Sequence, residues 1–228
     1  MTWAIADRNH TAHVDPFELL YVDPTSIRLL QQKSKETQSY PFYISEVRSG
    51  DWDKQVTSYR ECDMYRSFNR HFNEGVPWIK TEWAQRIMQE IEDGWEMDRG
   101  YCSTPEEFLD RCGEIDQLYE RIASNGYKTQ RELMQTHNKD ALSRRWSYFC
   151  PELHEVTVNI TREGEFIFQD GWRRFTIANV LGLNKIPVRV NLRHHYWQAY
   201  RNSVARENGL DPGMDHPDIR NVISHRDS

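Results

Sequence analysis

Residues 155–192 read EVTVNITREGEFIFQDGWRRFTIANVLGLNKIPVRVNL, and the order of signals in them decides the fold. Glu155 to Ile160 alternates polar and apolar side chains, the period of a half-buried strand. Arg162-Glu163-Gly164 interrupts it as a turn, and Glu165 to Phe168 returns as the second strand of a hairpin. Asp170-Gly171 turns the chain again, and residues 173–181 read as a helix with Gly182 just past its end. Ile186 to Leu192 is a third strand. Strand, strand, helix, strand in this order predicts a mixed α+β architecture.

Upstream of that stretch the middle of the chain is helical. Thr104-Pro105-Glu106-Glu107 combines an N-cap, a proline at the first helical position and a capping-box glutamate. Phe108, Cys112, Ile115, Tyr119 and Ile122 then form one apolar stripe, and Asn125-Gly126 supplies the stop. Before it, TEWAQRIMQEIEDG (81–94) places Trp83, Ala84, Ile87, Met88 and Ile91 on one helical face, with Thr81 as the cap. Near the start, the apolar run from Phe17 is closed by the turn signal Asp23-Pro24, and Ile44 to Trp52 adds a further strand. Gln31 to Ser39 reads as polar loop, and His137 to Pro151 carries no assignable period. A last helix from Trp197 to Asn208 stops at Gly209 and leaves a tail.

The chain has 228 residues, with 29 Lys+Arg against 35 Asp+Glu and a net charge of −6. That balance argues against a surface built to grip duplex DNA or an anionic membrane, so no tight duplex binding is expected of the chain alone. Mean hydropathy is −0.84, a polar value. Nine Phe, eight Trp and eleven Tyr nevertheless supply an aromatic core, which a disordered chain lacks. No apolar run reaches the roughly 18 residues of a membrane span, and the first residues lack the apolar stretch of a signal peptide. Cys62, Cys102, Cys112 and Cys150 form no Cys-x-x-Cys pair and read as reduced thiols, so a cytoplasmic protein is expected.

The chemistry concentrates at Asp170-Gly171-Trp172-Arg173-Arg174, where a strand runs through a glycine turn into a helix. The first turn of a helix is electropositive and favours acidic residues, so two arginines there are misplaced by about 0.3–1 kcal/mol each. A bound phosphate or carboxylate would offset this, as would ion pairs to strand glutamates such as Glu155 or Glu165. Asp170 is either a turn former or a carboxylate able to hold Mg²⁺. His154, Glu155, His194 and His195 could in principle join Asp170 as metal ligands, but neighbouring strand residues point to opposite faces, and no metal site is assigned. Trp52 and Trp78 sit on turns, where packing against the core competes with stacking on a base.

The order of these elements resembles the N-terminal domain of the ParB/sulfiredoxin superfamily. The matching residues are Gly171-Trp172-Arg173-Arg174, Ala178, Leu181-Gly182-Leu183 and Ile186-Pro187-Val188. Further matches are the helix from Ile115 to Ile122, the loop from Gly126 to Gln130, and the early Tyr21-Val22-Asp23-Pro24 with Ile27. The resemblance implies one domain over 1–228, with a mixed sheet and packed helices in a core at 17–30 and 114–192. It leaves 31–113 as a mostly helical insertion and 193–228 as a C-terminal helix and tail. It implies a nucleotide ligand, ATP or CTP with Mg²⁺, whose phosphates lie at Arg173 and Arg174, with Gly171 allowing close backbone approach. Gly126, Thr129 and Gln130 would line the same pocket, and Asp170 would be the catalytic candidate. Trp172 stands where CTP-hydrolysing members carry glutamate and sulfiredoxin carries its reactive cysteine, and no helix-turn-helix domain follows. Phosphoryl transfer or nucleotide hydrolysis, a non-catalytic structural or interaction protein of viral or cellular origin, and a nuclease therefore all stay open. A homo-oligomer or a protein partner stays open as well.

Overall fold

A computed structural model describes residues 10–32, 45–94, 102–136, 150–206 and 215–224. The chain is mixed α+β, with seven strands and seven α-helices among the described residues. They divide into two compact units, one drawn from 1–58, 129–171 and 184–228, the other from 59–128 and 172–183.

The first unit holds the sheet. Its strands are β1 (Leu19–Val22), β2 (Leu29–Gln31), β3 (Glu46–Arg48), β4 (Val56–Ser58), β5 (Val156–Ile160), β6 (Phe166–Asp170) and β7 (Ile186–His194), in spatial order β1-β7-β5-β6-β2-β4. β5 and β6 form the expected antiparallel hairpin, and β7 runs parallel to β5. β1 pairs antiparallel with the first half of β7, whereas β3 pairs parallel with its end, at Leu192 to His194. β2 joins parallel to β6 and antiparallel to β4. The turn after β1 forms as its sequence dictates, since the Asp23 carboxylate accepts both the Thr25 N–H (2.8 Å) and the Thr25 hydroxyl (2.7 Å).

The alternation in β5 predicts one solvated face, yet all five residues are buried. Asn159 shows what makes that tolerable. The register slips between Val158 and Asn159, leaving Asn191 as the extra residue of β7. At the slip the Leu192 N–H donates to Asn159 Oδ1 (3.1 Å), and Asn159 Nδ2 donates to Gln31 Oε1 (3.1 Å). Gln31 Nε2 donates in turn to the Trp52 and Gln55 carbonyls. The polar positions of the strand are therefore inside because each finds a partner, which burial of amide groups requires.

Three helices belong to this unit: α4 (Gln130–Gln135), α6 (His195–Arg206) and α7 (Pro217–Ser224). α6 starts two residues earlier than its sequence suggests, and Glu207 and Asn208 lie outside the described residues. The expected tail contains α7, a correction whose physical basis is burial: Asp218 and Ile219 are fully enclosed. The stretch 31–113, expected to be mostly helical, also supplies β3 and β4. The readings of Gln31–Ser39 as loop and of His137–Pro151 as unassigned fall mostly outside the described residues.

The second unit is helical: α1 (Asp63–Glu74), α2 (Glu82–Glu92), α3 (Pro105–Asn125) and α5 (Trp172–Val180). Thr104 Oγ1 accepts the Glu107 N–H (3.2 Å), while the Glu107 carboxylate reaches back to the Ser103 N–H (2.7 Å), so the start of α3 is where its sequence puts it. The buried face of α3 is Phe108, Cys112, Ile115 and Ile122; that of α2 is Trp83, Ala84, Ile87 and Ile91. Aromatic rings dominate the core, with Phe68 edge-on to Trp78 (5.0 Å) and Trp83 (5.7 Å), and Phe72 stacked on Tyr119 (3.9 Å).

Candidate functional site

The first turn of α5 contains no acidic residue and carries Arg173 and Arg174. Arg174 is held in place from the loop that ends α3. There the Gly126 N–H closes the helix on the Ile122 carbonyl (3.0 Å), and Tyr127 and Lys128 follow. The Arg174 guanidinium lies 4.2 Å from the Tyr127 ring centroid, and its Nη2 donates to the Lys128 carbonyl. Stacking on an aromatic face and donation to a backbone carbonyl fix the plane of the guanidinium. Arg173 and Arg174 are both half-buried, so neither is a freely solvated surface cation.

Trp172 faces the hydrophobic cluster of the helical unit, 6.2 Å from the Tyr59 ring. The Thr176 hydroxyl donates to the Trp172 carbonyl (2.6 Å) and so accepts from the Tyr59 hydroxyl (2.7 Å). Burial pushes the Tyr59 phenol well above its ordinary range and keeps it a donor. Trp172 is thus part of the packing of the helical unit.

In the sheet unit, Asp170 is exposed at the end of β6, and its Oδ1 accepts the Gly171 N–H (2.7 Å). This is the turn-forming role. Gly171 has φ +92°, and a Cβ there would lie 2.9 Å from the Val156 Cα. The backbone that approaches Gly171 on its Cβ side is the chain's own strand β5. Thr129 opens α4 with a complete capping box: the Glu132 N–H donates to Thr129 Oγ1 (3.1 Å) and the Thr129 N–H to the Glu132 carboxylate (2.7 Å). The Gln130 N–H donates to the buried Glu155 carboxylate. The backbone donors of Thr129 and Gln130 are therefore taken by Glu132 and Glu155.

No family model, curated protein or solved structure matches this chain. Its own residues carry the functional reading.

Tyr127 belongs to the loop from Gly126 to Gln130 that the resemblance singled out, but its stacking on Arg174 was not foreseen. Sequence reasoning overlooked one buried cation. Arg189 stands opposite Thr157 in the sheet, 5% exposed, with Nη2 3.4 Å from Thr157 Oγ1. Burial lowers its pKa to about 10, against the opposing pull of Asp170. An arginine inside Ile-Pro-Val-Arg-Val was the visible cue.

The histidines considered as metal ligands resolve differently. His194 is buried, its Nδ1 accepts the Tyr196 N–H (3.2 Å), and Nε2 therefore donates to the Gly50 carbonyl (3.0 Å), so neither nitrogen is left for a cation. Among the described residues, no group of three His, Cys, Asp or Glu side chains is placed to hold a metal ion. Trp52 is buried against Ile167 and Leu192, and Trp78 is packed against Phe68 and stacked on His71 (4.1 Å), so both are core tryptophans. No described helix is long and apolar enough to cross a membrane.

Proposed function

We propose that the chain binds a nucleotide or another phosphate-bearing ligand at the start of α5, through Arg173 and Arg174, on a ParB/sulfiredoxin-like fold. The observation that carries this reading is the oriented Arg174 guanidinium, stacked on Tyr127 and tethered to the Lys128 carbonyl in a helical turn without acidic residues. Two arginines in a first helical turn without acidic residues are side chains of the type that suits the oxygens of a phosphate chain. The geometry favours binding without turnover. Asp170 already accepts the Gly171 N–H, and one exposed carboxylate is too little to fix Mg²⁺ by itself. Trp172 supplies no acid, base or nucleophile. A non-catalytic interaction protein that uses a nucleotide as a ligand is the form of the proposal these residues support.

Thermal unfolding with ATP, CTP and tripolyphosphate, each with and without Mg²⁺, tests it. Ligand at a hundredfold excess over its Kd stabilises the folded state by about 2.7 kcal/mol, a shift of several degrees. At least one of these compounds is expected to raise the melting temperature without release of phosphate. No shift with any of them would overturn the proposal, and phosphate release abolished by Asp170→Asn would overturn its non-catalytic form.

A further inference from the structure

His216 immediately precedes α7, and its side chain behaves as that helix's cap. The Asp218 N–H donates to His216 Nδ1 (3.1 Å), while the Ile219 and Arg220 N–H groups donate to the His216 carbonyl (3.0 Å each). An N-cap side chain must accept from the first-turn amides, so this ring is neutral, with its proton on Nε2. The imidazole is enclosed: Phe166 of β6 stacks on it at 4.8 Å, and Trp197 of α6 meets it edge-on at 4.7 Å. Gly164 faces it from the β5–β6 turn through its backbone.

Among the described residues, the charged groups that act on this ring are Asp218, Arg193 and Arg201. Asp218 on α7 is fully buried, accepts from Arg193 Nη2 of β7 (2.7 Å) and Trp197 Nε1 (2.8 Å), and forms an ion pair, without a hydrogen bond, with Arg201 Nε of α6 at 3.1 Å. Two buried arginines share that one carboxylate. Within this cluster a proton on His216 does three things of the same sign. It replaces the acceptor at Nδ1 with a donor pointed at an N–H. It adds a third cation beside Arg193 and Arg201. It also places positive charge at the positive end of the α7 dipole.

We propose that α7 is an acid-released latch, docked while His216 is neutral and let go when a proton reaches its Nδ1. Burial, with Arg193 and Arg201, holds the His216 pKa below its ordinary 6.5 against the opposing pull of Asp218. The released helix therefore binds the proton more tightly than the docked one. Docking is at full strength above pH 6.5 and weakens as pH falls from there toward the lowered value. Each unit of difference between the two pKa values corresponds to roughly a tenfold loss of docking equilibrium.

Hydrogen exchange of the backbone amides of 218–223 in the full chain, corrected for intrinsic pH dependence, reads the latch directly. Between pH 7.5 and 5.0 their protection is expected to fall as the lowered His216 pKa requires. His216→Asn keeps an accepting cap but does not titrate, so its protection is expected to stay level over the same range. Unchanged protection in the unmodified chain, or an equal loss in His216→Asn, overturns the proposal. If the variant does not fold, the ¹⁵N shifts of the His216 ring in the unmodified chain decide. A neutral ring with Nε2–H at pH 7.5 is expected, and an imidazolium at that pH overturns the latch.

Discussion

Gly171 joins β6 to α5 with φ +92°, a backbone setting that side chains with a Cβ rarely adopt. A methyl group there would also meet the Val156 backbone at 2.9 Å, and backbone cannot rotate out of the way. Gly171→Ala is accordingly expected to destabilise the fold by about 2–4 kcal/mol in urea unfolding, the sum of left-handed strain and overpacking. A loss under about 0.5 kcal/mol would show that the turn can be rebuilt. This residue was legible as a turn because Asp-Gly between a strand and a helix has few other uses. Its neighbours in the candidate site were legible only as residue types. The sequence shows that Arg174 is a cation at a helix start, but not that Tyr127, 47 positions earlier, provides its stacking face. Asn159 and Arg189 were invisible for a related reason, since a polar residue in an alternating strand is read as solvated. Only the register of β7 reveals that both are inside.

At the scale of the elements, what is local in origin was legible and what is tertiary was not. The caps at Thr81 and Thr104, the stripes of α2 and α3 and the β5–β6 hairpin all follow from spacings within a few residues. The three-residue strands β2, β3 and β4 are too short to show a period and exist through their partners. α7 was missed because what fixes it is a contact with distant groups, the Asp218 carboxylate between Arg193 and Arg201. Asp218→Asn leaves both arginines buried without their carboxylate and is expected to cost about 3–5 kcal/mol in equilibrium unfolding at pH 7.5. Burial alone would raise the Asp218 pKa, but Arg193 and Arg201 outweigh it and hold the carboxyl well below its usual range. A lowered carboxyl pKa contributes stability that is complete above the unfolded value of 3.8 and is lost as pH falls further. The Asp218 carboxylate therefore contributes nothing to a loss of docking between pH 6.5 and 5. A loss below about 1 kcal/mol for Asp218→Asn would mean that the arginines find other partners.

For the whole molecule, composition and order of elements determined the class correctly. A polar chain of net charge −6 with many aromatics folds as α+β, and the aromatic rings form the core of the helical unit. The division into a sheet unit and a helical unit was not legible, because each is assembled from separated stretches: residues 172–183 join 59–128, and 184–228 return to the sheet. The central claim is that Arg173 and Arg174 serve a phosphate-bearing ligand rather than the fold. The most direct measurement is titration calorimetry and thermal unfolding of Arg173→Ala and Arg174→Ala, using the compound that most stabilises the unmodified chain. Each variant is expected to lose about 1.5–3 kcal/mol of binding free energy, the scale of a hydrogen bond to a charged group. Removing a cation from the helix start offsets part of any stability loss in either variant, and Arg174→Ala loses the few degrees owed to its contact with Tyr127. Unaltered affinity in both variants, together with a large drop in melting temperature, would contradict the account and make the two arginines structural.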